Sequence, residues 1–369
     1  MEAFPLSDSL KIRSYRREYS VDFVDEYLPA LKKQVRQRDV VIIDKNIFDL
    51  YPDIAEVAQE VCHRVIKPIE EAKSFHALHP IIDNLLEGGI TKTDRIIAIG
   101  GGIIQDIAAF ISSILFRGIE WVFFPTNLLS QADSCIGSKT SINFGAYKNQ
   151  LGGFYPPHKI VIATAFLSTL PEREILSGLG EMMHYFCVSG EGDFAWAKNR
   201  LAVAVQEKKG FDELIRRSLS IKKALIEIDE FDEGPRNVFN YGHSFGHALE
   251  SVTNFTVPHG IAVCFGMDLA NFISVKLGLI PNELRNEIQR SLVPVWEKTE
   301  LDLHNLDPFF TALKRDKKNE GTNIKVILTK SLGKMFKTTL VLDDPMKELI
   351  RKYFADKQWE KAIWMSWEN

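Results

Sequence analysis

The sequence predicts an α/β domain over residues 1–170 followed by an all-α domain over residues 171–369. Three observations carry that reading. The chain has 369 residues, 45% of them hydrophobic and 25% charged, which is ordinary for a soluble globular protein and too long for one compact core. The first half alternates short apolar runs with helix-period stretches, the rhythm of βαβ units around a parallel sheet. Past "STLPERE" long stretches with a period of 3.6 residues dominate and strands become scarce.

The elements follow in order. "VVIID" at 40–44 is a strand, a helix is expected around 47–60, and "RVIKPI" at 64–69 is a second strand. "SFHALHPIIDNLLEGG" has helical spacing. "RIIAIGGG" (95–102), the apolar helix "IIQDIAAFISSILFRG" and the strands "EWVFFPT" (120–126) and "KIVIAT" (159–164) complete the first half. The two halves join near residues 165–175. In the second half, "DELIRRSLSIKKALIEI" and "GIAVCFGMDLANFISVKLG" are long helices. The tail "DKQWEKAIWMSWEN" reads as an amphipathic end that packs on its own domain or on a partner subunit.

Composition narrows the partners. A net charge of −4 without a long basic run argues against nucleic acid and for a small-molecule substrate, with room for a local basic pocket. Cys62, Cys135, Cys187 and Cys264 lie far apart with no C-x-x-C pair, which points to reduced thiols and a cytoplasmic setting. The N-terminal stretch lacks an apolar core, and no window approaches the ~18 apolar residues of a membrane span.

Several motifs carry chemistry. "IIAIGGGIIQD" is a strand, three glycines and a helix with Asp106 in its first turn, a turn through which backbone can approach a pyrophosphate at a helix N-terminus. It lacks the G-x-G-x-x-G fingerprint, so a plain tight turn is equally compatible. Asp44 and Asn46 in "IIDKN" end a strand, where open α/β sheets place ligands and an acidic group can take ribose hydroxyls. "PTNLLSQADSCIGSKTSINFGAYKNQLGGFYPP" is longer than a simple connection needs; its Lys139, Lys148 and Asn149, with Arg117 nearby, could surround a phosphate. In "FNYGHSFGHALE", His243, His247 and Glu250 share one helix face. Together with Glu181 in "GLGEMMHYF" and His259 in "VPHGIAV", they offer a carboxylate and imidazoles of the kind that hold catalytic zinc. The two helix histidines could both be ligands, or could divide the work between one ligand and one proton carrier.

These blocks, with "STLPERE", "KNQLGGFYPP" and "RNVFNYGHSFGHALE", occur in the order seen in the dehydroquinate synthase family, the sugar phosphate cyclases, which the chain resembles from "IIDKN" to "DKKN" near residue 319. The resemblance implies a Rossmann-like NAD domain, a helical metal- and substrate-binding domain, and a homodimer. By position, Glu181, His243 and His259 resemble the ligands of a divalent metal, zinc with cobalt as the alternative, and His247 resembles the proton carrier. Asp44, Asn46, Glu70, Lys73, Gly101, Gly102, Asp106, Thr126, Lys148 and Thr169 resemble NAD contacts, and Asn127 stands where a second Thr is usual. Asp133, Lys139, Asn149, Lys222, Arg236, Asn240 and one of Lys317 or Lys318 resemble the substrate pocket. Arg117 is similar to an arginine that reaches the neighbouring subunit's phosphate.

The implied reaction borrows NAD and returns it unchanged. A carbinol carbon gives up hydride, the ketone acidifies the adjacent C–H, phosphate is eliminated, the ketone is reduced again, and ring opening with an intramolecular aldol step closes a carbocycle. Two features bear on the substrate. His184 stands where dehydroquinate synthases have a lysine, a change of charge, reach and pKa. "INFGAYKNQLG" is similar to the branch using sedoheptulose 7-phosphate, as in 2-epi-5-epi-valiolone synthase. Arg236, Asn240 and Lys222 instead suit a substrate carboxylate, which makes 3-deoxy-arabino-heptulosonate 7-phosphate the expected substrate. Lesser departures are Ser138 in "GSK" and Gln105 in "GGGIIQD", each where glycine is usual. A metal-dependent polyol dehydrogenase and a non-catalytic homologue are the contrasting readings.

Overall fold

The computed structural model describes residues 8–145, 147–301, 303–315 and 321–360. Lys317, Lys318 and most of the Trp-bearing tail lie outside the described residues. The chain forms two compact units, Met1–Leu170 with Lys222–Asp232, and Pro171–Ile221 with Glu233–Asn369. The segment Lys222–Asp232 packs with the first unit although its helical pattern continues that of the second half.

The first unit is built on a seven-stranded sheet. Its strands are β1 (Ser9–Arg13), β2 (Glu18–Phe23), β3 (Val40–Asp44), β4 (Cys62–Ile66), β5 (Arg95–Gly100), β6 (Glu120–Pro125) and β9 (Lys159–Ile162), in the order β1-β2-β9-β6-β5-β3-β4. Only the β1–β2 pair is antiparallel; the other pairings are parallel. Every residue of β3 and β5 is buried, because a parallel sheet covered on both faces needs continuous apolar strands. Helices α1 (Tyr27–Gln34), α2 (Lys45–Leu50), α3 (Pro52–Gln59), α4 (Phe75–Glu87) and α5 (Gly102–Ile114) join the strands. The single helix expected over 47–60 is two helices. Pro52 has no N–H to continue α2 and instead opens α3, leaving Tyr51 at φ −124°, ψ 82° between them.

The long loop after β6 is more ordered than its composition implies. It forms a π-helical turn at Ser130–Ser134 and an antiparallel hairpin of β7 (Lys139–Phe144) and β8 (Tyr147–Phe154). Gln105 ties α5 to that turn: its amide donates to the Ser134 carbonyl at 2.6 Å, and its Oε1 accepts from the Ser134 hydroxyl at 2.6 Å.

The second unit is helical: α6 (Glu172–Ser189), α7 (Glu191–Glu207), α8 (Phe211–Ile226, whose last turns join the first unit), α9 (His243–Val252), α10 (His259–Lys276), α11 (Asn282–Trp296), α12 (Asp307–Arg315) and α13 (Asp344–Ala355). A two-stranded antiparallel hairpin, β10 (Asn323–Thr329) with β11 (Met335–Val341), was not anticipated for this half. Helix α10 is the axis of the unit, buried without interruption from Gly260 to Ser274. Two of its glycines set how closely its neighbours approach. A Cβ on Gly260 would collide with the Ser177 carbonyl of α6, and one on Gly266 with the Gly242 carbonyl beside α9. These contacts bring the helix starts carrying His243 and His259 up against Glu181. Among the described residues no helix is long and apolar enough to cross a membrane.

Candidate active site

Glu181 lies inside α6 with 2% of its surface exposed. His243 and His259 each occupy the first position of their helices, α9 and α10. His243 Nε2 is 3.5 Å from Glu181 Oε1, and His259 Nε2 is 3.6 Å from Glu181 Oε2. One ligand atom from each of the three residues lies within 4.8 Å of the other two.

The protons tell what the cluster lacks. His243 Nδ1 lies 3.2 Å from the Tyr241 carbonyl, and His259 Nδ1 lies 3.1 Å from Glu250 Oε2. A carbonyl and a carboxylate only accept, so these contacts assign the proton to Nδ1 and leave the Nε2 lone pair facing Glu181. Charge-assisted hydrogen bonds run at about 2.7–2.9 Å, well short of the Nε2 separations. Glu181 Oε2 is buried without a hydrogen-bond partner. Two lone pairs and a carboxylate thus converge with no proton between them, an arrangement that a divalent cation satisfies and that is otherwise costly. Burial pushes the Glu181 carboxyl up; His243, His184 and His259, when protonated, outweigh it and hold the group below its ordinary range. Burial moves the thiols of Cys187 and Cys264 the other way, raising their pKa.

His247, one turn along α9, is exposed, with its ring centroid 5.4 Å from that of His243 and 5.5 Å from that of His259. A second possible metal group, His247 with Glu250 and His259, shares His259 with the first. Its Glu250 oxygen already accepts a hydrogen bond, so the Glu181 group is the better cation site.

His184 is fully buried. Its Nδ1 lies 3.7 Å from Glu181 Oε1, and its ring packs against Tyr185, Phe239, Tyr241 and His243. It therefore lies in the core against both Glu181 and His243. Arg236 and Asn240 lie on the 3-10 turn Pro235–Asn240 that leads into α9; Arg236 is buried, and the Asn240 amide donates to the Asn237 carbonyl at 3.0 Å.

In the first unit the predicted residues gather differently. Lys73, buried, donates to Asp106 Oδ2 at 2.8 Å and to Asn149 Oδ1 at 2.9 Å. Glu70 Oε1 lies 3.8 Å from both Lys73 Nζ and Lys148 Nζ. Asn149 adopts φ 53°, a left-handed conformation that asparagine tolerates, and its N–H donates to Asn143 Oδ1. Burial pushes the Asp106 carboxyl up, with Lys73 opposing. Asp133, on the π-helical turn, accepts from Lys222 at 2.6 Å, and Lys139 donates to Asp232 at 2.7 Å. Asp232, 93 positions from Lys139, was not singled out from the sequence. No local spacing signals such a partner.

The glycine turn is open. A Cβ on Gly102 would meet nothing within 4 Å, whereas one on Gly101 would strike Asn127 Nδ2. Gly101 caps α5 without a side-chain bond, so the first N–H groups of that helix face a cradle suited to an anion. Thr126 N–H donates to the Gly100 carbonyl. Asp44 is the N-cap of α2, accepting from Asn46 N–H at 2.7 Å; burial raises its pKa and the amides of Asn46 and Ile47 oppose that. The Thr169 hydroxyl pairs with the Tyr51 hydroxyl at 2.8 Å. Arg117 is exposed, at φ 60°.

Comparison with known proteins agrees in sequence and in fold. Models of the 3-dehydroquinate synthase N-terminal and C-terminal regions match residues 63–177 and 178–319. A 3-dehydroquinate synthase of Streptococcus pyogenes serotype M6 is 34% identical over 361 residues, covering 94% of this chain and 99% of the relative. In fold, the chain is similar to a 2-deoxy-scyllo-inosose synthase solved with carbaglucose-6-phosphate, NAD+ and Co2+, with a TM-score of 0.84, 22% identity and coverage of 93% of this chain and 99% of that one. A 2-epi-5-epi-valiolone synthase of Streptomyces hygroscopicus, solved with NAD+ and Zn2+, superposes with a TM-score of 0.78 at 24% identity, covering 91% of this chain and 96% of that one.

Proposed function

The chain belongs to the 3-dehydroquinate synthase family, and from that premise we propose that it is an NAD- and divalent-metal-dependent lyase that eliminates phosphate from a seven-carbon sugar phosphate and closes a carbocycle. The observation that carries the proposal is the convergence of the Glu181 carboxylate with the Nε2 lone pairs of His243 and His259. When bound there, zinc or cobalt supplies Lewis acidity to neighbouring substrate hydroxyls, and NAD supplies a reversible hydride acceptor.

The chain's own residues do the rest. The anion cradle at Gly101 and Gly102, with Lys73, Asp106, Lys148 and Glu70, binds the dinucleotide. His247, exposed beside the cluster, takes and returns the proton that moves at the leaving-group end. Lys139, Lys222 and Asn149 hold the phosphate and hydroxyls; the first two are already cationic partners of Asp232 and Asp133, so substrate oxygens compete with carboxylates for them. Arg117, an exposed guanidinium, serves a neighbouring subunit in a homodimer, and the enzyme works in the cytoplasm on a small molecule, without nucleic acid or membrane.

The substrate we propose is 3-deoxy-arabino-heptulosonate 7-phosphate. It is supported by relatives named 3-dehydroquinate synthase over nearly the whole chain and by Arg236, a buried guanidinium able to hold a carboxylate through paired bonds. Sedoheptulose 7-phosphate is the second reading, favoured by the "INFGAYKNQLG" loop.

The test is incubation of the full chain with each sugar, NAD and zinc, following free phosphate, the organic product and the absorbance of NADH. The expected result is phosphate release from the heptulosonate with no net NADH. Phosphate release from neither sugar contradicts the proposal, and steady NADH accumulation with a simple polyol replaces it with a dehydrogenase.

A further inference from the structure

From the sequence, Glu250 shares the helix face of His243 and His247, a cluster of the kind that can ligate a metal. Its carboxylate Oε2 lies 3.1 Å from His259 Nδ1, and its side chain is 13% exposed. Among the described residues His259 is its only ion-pair partner; no lysine or arginine neutralises it. Nor does it serve its own helix. Glu250 sits in the last turn of α9, where the helix dipole presents negative partial charge and disfavours a carboxylate. A buried-side acid kept at the wrong end of a helix needs another reason, and His259 supplies one.

The two nitrogens of His259 face two different acids, Nδ1 toward Glu250 and Nε2 toward Glu181. His243 is held otherwise, its Nδ1 meeting the neutral Tyr241 carbonyl. His259 is also the more exposed of the pair, with 29% of its side chain accessible against 14% for His243, so its ring is less confined by packing. A carboxylate behind an imidazole fixes the Nδ1–H tautomer, holds the ring plane and makes the opposite nitrogen a stronger donor to a metal.

We infer that Glu250 is a positioning residue that orients His259 and strengthens it as a metal ligand, without binding the ion itself. The inference rests on the metal reading of Glu181, His243 and His259.

The experiment uses the full chain freed of metal by chelation, then titrated with Zn²⁺ against a competing chromophoric chelator. Wild type, Glu250→Gln, Glu250→Asp and Glu181→Gln are compared. Wild type should bind one ion per chain. Glu250→Gln should keep that stoichiometry with affinity lower by roughly 10–100-fold, the usual cost of removing an outer-shell partner. Glu250→Asp, which keeps the charge, should fall between the two, and it answers the question should the glutamine variant not fold. In the cobalt form, Glu250→Gln should shift the visible d–d bands, which loss of helix stability alone would not do. Unchanged affinity and spectrum in Glu250→Gln, with Glu181→Gln losing the ion, would overturn the Glu250 assignment and leave the metal centre standing. Loss of a second bound ion in Glu250→Gln would make Glu250 a ligand and equally overturn it. A wild-type chain that binds no ion would overturn the metal reading and this inference together.

Discussion

The charged groups of the first unit and those of the second solve opposite problems. In the first, Lys73 meets Asp106 and Asn149, Lys222 meets Asp133 and Lys139 meets Asp232, so each cation has an anionic oxygen within 2.8 Å. In the second, Glu181 faces two imidazole lone pairs at 3.5 and 3.6 Å, and one of its oxygens has no donor. A set of paired charges is complete in itself and must be pried open by a ligand. A set of converging acceptors is incomplete until a cation arrives. The difference sets a group that would have to give up a partner in order to bind apart from a group that a cation would complete, and it can be tested by removing one member of each.

The largest effect is expected from Glu181→Gln. Losing a ligand should abolish stoichiometric zinc binding and lower phosphate release by on the order of 10³-fold, the loss of several kcal/mol of charge stabilisation. Metal analysis and a phosphate assay read both. At mildly alkaline pH, where the imidazoles are neutral and no longer hold the carboxylate down, the metal-free variant should be no less stable than metal-free wild type, because an unsatisfied buried carboxylate is removed. Next comes His247→Asn, expected to cost roughly 10²–10⁴-fold in turnover while zinc binding is unchanged, as fits a proton carrier outside the ligand set. An equal loss of zinc would merge His247 into the centre.

Lys73→Met should behave in the reverse sense to Glu181→Gln. It leaves Asp106 without its cation, and chemical denaturation should show a loss of about 3 kcal/mol, the low end for breaking a buried pair. Asp106 keeps a quarter of its side chain in solvent, which is why the low end applies. NAD affinity should fall with it.

The smallest effect concerns another self-completed pair of the first unit. A hydrogen bond from the Arg38 guanidinium holds the Asp94 carboxyl at about 2, below its ordinary 3.8. A depressed folded-state pKa means that the stabilisation is present above the unfolded value and drains away as pH falls from about 4 toward 2. Thermal melts over that window should show a shallower acid slope for Asp94→Asn than for wild type.

Strands β3, β5, β6 and β9 were legible because buried parallel strands are runs of apolar residues. The grouping of Glu181, His243 and His259 was expected from family motifs, and Gly260 of one such motif, with Gly266 further along the same helix, sets how closely the helices approach. Other features depended on contacts that no local pattern encodes. The β7–β8 and β10–β11 hairpins pair segments whose sequences alternate weakly, and Lys139 finds Asp232 across 93 positions. His184 shows the limit most clearly. Its spacing from Glu181 places both on one helix face, but spacing alone does not say whether that face meets solvent or the core, and here it is core. Glu250 likewise was visible as a neighbour of the histidines, while its bond to His259 required the start of a different helix to be brought beside it.

X-ray absorption at the metal edge of the zinc-loaded full chain tests the central claim most directly. A centre built from Glu181, His243 and His259 predicts nitrogen and oxygen neighbours at about 2.0–2.2 Å, the multiple-scattering signature of two imidazoles, and no sulfur. A sulfur shell at about 2.3 Å, or an imidazole signature that survives unchanged in Glu181→Gln, would contradict it.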